Sequence, residues 1–115
     1  MLGTLNTSII RYSYCICRAS KGVSDSVISS IATNCKYIHS LSLARCTNYS
    51  SSCLENLMKH LRLKSLDISG NKQLTGASLC TISEYCTNIE FLDLSGCVNI
   101  TVIDISYIYV NLYIG

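Results

Sequence analysis

The sequence has no proline, few charged residues and no long apolar run. Charged residues make up 14% of its 115 positions, and the formal net charge is +2. This charge is too weak and too scattered to indicate nucleic acid or an anionic membrane as a partner. No run of about 18 uncharged apolar residues occurs, so a membrane-spanning helix is not predicted. Hydrophobic residues still make up 49% of the chain, which excludes a charged disordered tail and favours one small folded domain.

The eight cysteines lack the spacing of a metal site, because no C-x-x-C pair occurs and C-x-C occurs once, at Cys15 and Cys17. A disulfide scaffold is disfavoured as well. Residues 1–8 carry no Lys or Arg, and Arg11 interrupts the apolar run that follows, so a secretory leader is not predicted. We therefore expect eight free thiols, no metal, and an intracellular protein of the cytoplasm or nucleus.

Catalytic and cofactor motifs are not found either. The six glycines are single, and none belongs to G-x-G-x-x-G or G-K-[ST]. Neither H-E-x-x-H nor G-x-S-x-G occurs. The sequence predicts no enzyme and no cofactor.

An apolar pattern recurs at intervals of 25 or 26 residues over most of the chain. The three clear copies are Ile38-x-x-Leu41-x-Leu43-x-x-Cys46, Leu63-x-x-Leu66-x-Ile68-x-x-Asn71 and Ile89-x-x-Leu92-x-Leu94-x-x-Cys97. A weaker copy, Ile9-x-x-Tyr12-x-Tyr14-x-x-Cys17, precedes them at an interval of 29. Four copies in register predict a repeat protein.

Each copy combines two apolar periods. Alternation, as in Leu66-x-Ile68, predicts a short strand with one buried face. The spacing of three in Leu79-x-x-Ile82 predicts the inward stripe of a helix, with Ser24, Thr75 and Thr101 placed to cap such helices.

One strand and one helix cannot bury their own apolar sides, so the units must stack into a shared core with a parallel sheet. We predict an α/β solenoid of about four repeats within a single array over residues 1–115. The approximate unit boundaries are 9–37, 38–62, 63–88 and 89–115.

Cysteine or asparagine occupies the position just after each predicted strand. These residues are Cys17, Cys46, Asn71 and Cys97. The chain turns there and leaves backbone groups without ladder partners. An asparagine amide can bridge neighbouring turns, and a thiol is a smaller, weaker donor that also packs as an apolar group. We predict a buried ladder of turns at this position.

The string LKSLDISGNKQLTGASLCTISEYCTNIEFLDLSGCVNIT resembles the leucine-rich-repeat family, in its cysteine-containing subtype. The resemblance implies a right-handed β-α superhelix with the parallel sheet on its concave face. The subtype is found mostly in F-box proteins. It therefore implies a non-catalytic module that recognises substrates for an SCF-type ubiquitin ligase, in ubiquitin-dependent protein catabolism, with ligase subunits as further partners.

The F-box itself is not visible in this sequence, and we expect it upstream of Met1 or on a partner. Similar repeats also occur in cytoskeletal and ciliary assemblies such as the dynein regulatory complex. The alternative function is therefore a structural scaffold subunit, located at a cilium or the cytoskeleton.

The residues between the strand leucines are expected to point out of the sheet and to bind a protein client. They are Arg11, Ser13, Ser40, Ser42, Ser65, Asp67, Phe91 and Asp93. Cys15 is predicted to face outward with them. Asp67 and Asp93 should be lateral neighbours that a partner's Lys or Arg could join, with Phe91 as an aromatic anchor. The alternatives are that the aspartates only keep the face soluble, and that Phe91 is partly buried against a neighbouring strand.

The last predicted helix lies in VIDISYIYVNLYIG, which is mostly apolar. Repeat arrays need polar terminal caps. We therefore expect this end either to continue into a longer array or to be covered by a partner.

Overall fold

Strands and helices alternate strictly in the computed structural model of the chain, which describes residues 14–17 and 21–109. The four strands are β1 (Tyr14–Ile16), β2 (Ser40–Ser42), β3 (Ser65–Asp67) and β4 (Phe91–Asp93). The four helices are α1 (Asp25–Asn34), α2 (Ser51–Met58), α3 (Gly76–Tyr85) and α4 (Val102–Tyr109). The predicted α/β class is confirmed.

The strands form one parallel sheet in the order β1-β2-β3-β4, so each strand lies beside the one that precedes it in the chain. The helices form the second layer, and α1 contacts α2, α2 contacts α3 and α3 contacts α4. A parallel connection needs a crossover, and here each crossover contains one helix. Every strand–helix unit therefore packs mainly against the units before and after it.

The core lies between the sheet and the helices. The strand leucines Leu41 and Leu66 meet in the sheet register and are at most 1% exposed. The predicted helix stripes face them, with Leu79 and Ile82 of α3 equally buried. Leu54 and Leu57 of α2 are also fully buried, as are Ile28 and Ile31 of α1. The two sequence periods thus identify the apolar faces of the first three helices.

The first strand has a different register from the one predicted. Cys15, not Tyr12, pairs with Leu41, and Cys15 and Cys17 pack against the core. The prediction that Cys15 faces outward is therefore wrong. The reason is the unit length, because each helix begins ten residues after its strand centre, as from Cys15 to Asp25 and from Leu41 to Ser51. The observed register keeps this length, whereas the predicted one required an insertion.

Side-chain hydrogen bonds connect the neighbouring turns after the strands, as predicted, but Cys17 is an acceptor in this ladder and not a donor. Asn71 Nδ2 donates to Leu43 O at 2.9 Å, and Cys97 Sγ donates to Ile68 O at 3.0 Å. Cys46 Sγ donates in the same way to Cys17 O. Cys17 therefore supplies the acceptor, as Leu43 and Ile68 do, and does not occupy the donor position assigned to it from the sequence.

A second ladder of side-chain amides was not predicted. Asn48 Nδ2 donates to Lys21 O at 2.8 Å, and Gln73 Nε2 donates to Cys46 O at 2.9 Å. Asn99 Nδ2 makes the matching bond to Lys72 O. Each amide crosses from one unit to the unit before it, so the loops between strand and helix are tied together by polar bonds as well as by the core.

The last helix leaves its apolar side chains uncovered. Val102 and Ile103 are about 80% exposed, and Ile105 is 44% exposed. Ile105 lies 26 residues after the buried Leu79 and holds the matching position in its helix. It remains exposed because, within the described residues, α4 contacts α3 on one side and no further helix on the other.

Candidate functional site

The side of the sheet opposite the helices is here called the outer sheet face, and its residues form two rows across the strands. Ser40, Ser65 and Phe91 are paired in register in the first row. Ser42, Asp67 and Asp93 are paired in the second row. Alternate strand residues point to opposite sides of a sheet, which separates these rows from the buried leucines between them.

The two aspartates are lateral neighbours, as the repeat spacing predicts. Parallel strands lie about 4.8 Å apart, so Asp67 and Asp93 hold their carboxylates side by side. Like charges in this arrangement repel each other. A basic group placed between them would relieve this repulsion.

Serine side chains fix the orientation of both carboxylates. Oδ1 of Asp67 accepts hydrogen bonds from the backbone N–H of Ser69 at 3.0 Å and from its hydroxyl at 2.7 Å. Oδ1 of Asp93 accepts the same two bonds from Ser95, with the backbone bond at 2.9 Å. The Ser95 hydroxyl and N–H lower the pKa of Asp93 below its ordinary value of 3.8. Asp93 is therefore ionised at neutral pH.

An open depression of about 390 Å³ lies beside the aspartates, where the strands lead into their turns. Its lining residues are Ala44, Arg45, Asp67, Ser69, Gly70, Ser95 and Gly96. The depression joins a carboxylate and two hydroxyl groups to the guanidinium-bearing Arg45. Side chains of both charge signs can thus contact one bound segment.

Arg45 is the site residue that the sequence reasoning missed. Arg45, Gly70 and Gly96 occupy one repeat position, and all three have left-handed backbone, with φ of 58°, 71° and 72°. Glycine adopts this conformation readily, whereas a residue with a Cβ adopts it at a conformational free-energy cost of roughly 1–2 kcal/mol. A glycine recurring at one repeat position was the available signal, and an arginine in its place stands out against it.

The predicted binding residues differ in accessibility. Phe91 is 54% exposed, so the ring is partly buried, as the alternative expects, and still offers more than half of its surface, as the aromatic anchor requires. Ser40 and Ser65 are half-buried. Ser42 is only 8% exposed, because its short side chain lies between β1 and β3, and it offers less surface than predicted. Arg11 and Ser13 lie outside the described residues.

All eight cysteines are free thiols. Among the residues that the structure describes, no three His, Cys, Asp or Glu side chains cluster to hold a metal ion. No helix in that part of the chain is long and apolar enough to cross a membrane.

The chain was also compared with models of known protein families. No family model matches it.

Proposed function

We propose that the chain is a leucine-rich-repeat array whose outer sheet face is the concave, protein-binding face. The constant spacing of ten residues from strand centre to helix supports the array. The sheet order and the nearest-neighbour helix contacts support it as well, since stacked repeats contact only their neighbours.

The observation that carries the function is the row of fixed carboxylates beside an exposed aromatic ring. Asp67 and Asp93 are oriented by Ser69 and Ser95, so little side-chain entropy is lost when they bind. Phe91 stands on the same strand as Asp93 with more than half of its surface exposed. This arrangement suits a protein segment in which a Lys or Arg lies next to an apolar side chain.

We assign the recognised proteins to the substrates of an SCF-type ubiquitin ligase, and the chain to the non-catalytic recognition part of that ligase. This assignment depends on the resemblance of the repeat strings to F-box proteins. It requires an F-box on the same polypeptide or on a partner.

A second function, a structural scaffold subunit in a cytoskeletal or ciliary assembly, is favoured by the uncovered apolar side chains of α4. A scaffold subunit that is bound by other proteins at its ends would bury Val102 and Ile103, which are about 80% exposed. Exposed apolar patches mark interaction surfaces, although they do not specify the kind of assembly.

The binding face is tested by reversing its charge. Wild-type protein, the Asp67→Lys/Asp93→Lys variant and a Glu84→Lys/Glu90→Lys control are immobilised and exposed to the same cell lysate. The control makes the same charge change at exposed residues outside the two rows. We expect partners retained by wild type and control to bind the aspartate variant about tenfold more weakly or worse. Circular dichroism verifies that all three proteins are folded.

Unchanged retention by the aspartate variant would reject the outer sheet face as the site. The identity of the captured proteins separates the two functions. Recovery of a ligase adaptor and cullin supports substrate recognition, whereas recovery of axonemal proteins supports the scaffold.

A further inference from the structure

The thiols of Cys15 and Cys17 lie in contact at the edge of the sheet. Their Sγ atoms are 3.6 Å apart, and one thiol donates a hydrogen bond to the other. Residues two apart on an extended strand point to the same side, which explains the contact. Both side chains are half-buried, so reagents of small size can reach them.

We propose that Cys15 and Cys17 form a redox-active dithiol that a low-molecular-weight disulfide converts to an intramolecular disulfide. The proposal does not depend on the function of the outer sheet face. The two cysteines lie on β1 and directly after it, whereas Asp67 and Asp93 lie on β3 and β4 at the other end of the strand order.

The environment of the pair distinguishes Cys17 from the other thiols. The hydrogen bond with Cys15 lowers the pKa of Cys17 to about 7, although burial acts in the opposite direction. The same hydrogen bond, together with burial, raises the pKa of Cys15. Cys17 is therefore the more acidic thiol of the pair and is partly thiolate at neutral pH, and the thiolate is the reactive form.

Two other thiols face the pair from neighbouring elements. Cys35, directly after α1, is buried and has its pKa raised by burial and by Cys17. Cys46, in the turn after β2, is buried and donates to the carbonyl of Cys17. The raised pKa keeps Cys35 protonated at neutral pH, and the buried Cys46 thiol is engaged by the Cys17 carbonyl, so neither competes with Cys17 as a nucleophile.

The reaction proceeds in two exchange steps. The Cys17 thiolate attacks one sulfur of the small disulfide, whose S–S bond breaks and releases one thiolate that takes up a proton. The mixed disulfide at Cys17 no longer carries a charge, so Cys15 loses its proton more easily. The Cys15 thiolate then attacks Cys17 Sγ and displaces the second small thiol. The protein loses two hydrogens and two electrons, and the small disulfide gains them.

The geometry allows this closure with a limited shift. A disulfide bond is about 2.05 Å long, so the two sulfur atoms must approach each other by roughly 1.5 Å. β1 spans three residues and pairs on one side with β2 within the described part of the chain. Such an edge strand adjusts more easily than a central one.

Tryptic mapping tests the proposal on the intact chain. Trypsin cleaves after Arg11 and Arg18, so residues 12–18 form a peptide whose only cysteines are Cys15 and Cys17. Reduced native protein is treated with glutathione disulfide at pH 7, transferred into urea with excess N-ethylmaleimide so that buried thiols are also blocked, and digested. We expect peptide 12–18 to lose two hydrogens and to take up no label, about tenfold faster than any other cysteine peptide is oxidised.

The chain contains a matched internal control. Peptide 46–59 also carries two cysteines, Cys46 and Cys53, and burial raises the pKa of Cys53. It should remain fully labelled under the same conditions. In urea the difference between the two peptides should disappear, because it depends on the folded contact.

Variants test the role of each thiol. In Cys15→Ala, Cys17 should accumulate as a stable mixed glutathione disulfide, and the pH midpoint of its alkylation should rise. In Cys17→Ala, Cys15 should react far more slowly than Cys17 does in the wild type. The proposal is overturned if native peptide 12–18 remains dithiol while peptide 46–59 oxidises. It is also overturned if Cys15→Ala leaves the alkylation midpoint of Cys17 unchanged, or if the contrast between the peptides persists in urea.

Discussion

Asp93 shows how a single serine can orient a carboxylate of the outer sheet face and lower its pKa. Its Oδ1 accepts both the hydroxyl and the backbone N–H of Ser95, and these bonds lower its pKa below 3.8. A lowered pKa in the folded state means that the ionised group stabilises the fold at neutral pH. That contribution is lost as the pH falls through the folded-state pKa.

The variant Ser95→Ala should raise the pKa of Asp93 towards 3.8 without restoring it fully. The hydroxyl donor is removed, but the backbone N–H at 2.9 Å remains. An NMR titration of the Asp93 side-chain carboxyl carbon measures the shift. Ser65→Ala, at a half-buried serine in the other row of the outer sheet face, is the control and should leave this titration unchanged. A wild-type Asp93 that titrates at or above 3.8 would contradict the role given to Ser95.

At the scale of the element, the turns after β2, β3 and β4 each depend on a left-handed residue. Gly70 and Gly96 meet this requirement without a side chain, whereas Arg45 meets it at an energetic cost. A Cβ added at Gly70 would lie 2.7 Å from Arg45 Cγ. One added at Gly96 would lie 3.5 Å from the backbone of Gly70, which is an ordinary contact.

We expect Gly96→Ala to destabilise the fold by about 1–2 kcal/mol through backbone strain alone. Gly70→Ala should cost clearly more, because the contact with Arg45 adds to the same strain. Introducing Arg45→Gly together with Gly70→Ala should reduce the excess. Urea denaturation of the four proteins measures these differences. Equal losses for the two single glycine variants would show that Arg45 does not crowd its neighbour.

The strands and helices were largely predictable from the sequence, and the one wrong register has a physical cause. Burial dictates the spacing of the apolar residues, so the pattern identifies a strand face in Leu66-x-Ile68 and a helix stripe in Leu79-x-x-Ile82. The register of β1 was not predictable in this way, since Tyr12 and Tyr14 imitate strand leucines while Cys15 takes the position that pairs with Leu41. The apolar pattern does not distinguish a tyrosine from a half-buried cysteine at this position.

The candidate site was predictable where it depends on register and not where it depends on backbone conformation. The pairing of Asp67 with Asp93 follows from an interval of 26 residues between units. The position of Arg45 in the depression depends on a turn with positive φ, which only the two glycines indicate. The accessibility of Ser42 depends on the strands on both sides of it, and a single strand pattern cannot supply that information.

Across the whole molecule, burial depends on the number of neighbouring units. Leu41, Leu66 and Leu92 hold the same position in β2, β3 and β4. The first two are at most 1% exposed, whereas Leu92 is half-buried. Leu66 has a paired strand on both sides, and Leu92 has one on the side of β3 in the described residues. Contributions of matched leucines to stability should therefore decrease from the central strands of the sheet to β4.

Leucine-to-alanine substitutions at these matched positions measure that gradient. Leu66→Ala should cost about 2–5 kcal/mol, because it leaves a cavity that the packed core cannot fill. Leu92→Ala should cost at least about 1 kcal/mol less, because water already reaches part of the side chain. Urea unfolding is run at several protein concentrations, with sedimentation to establish that the protein is monomeric. Equal losses in a monomer would contradict the gradient, because they would require Leu92 to be as fully enclosed as Leu66.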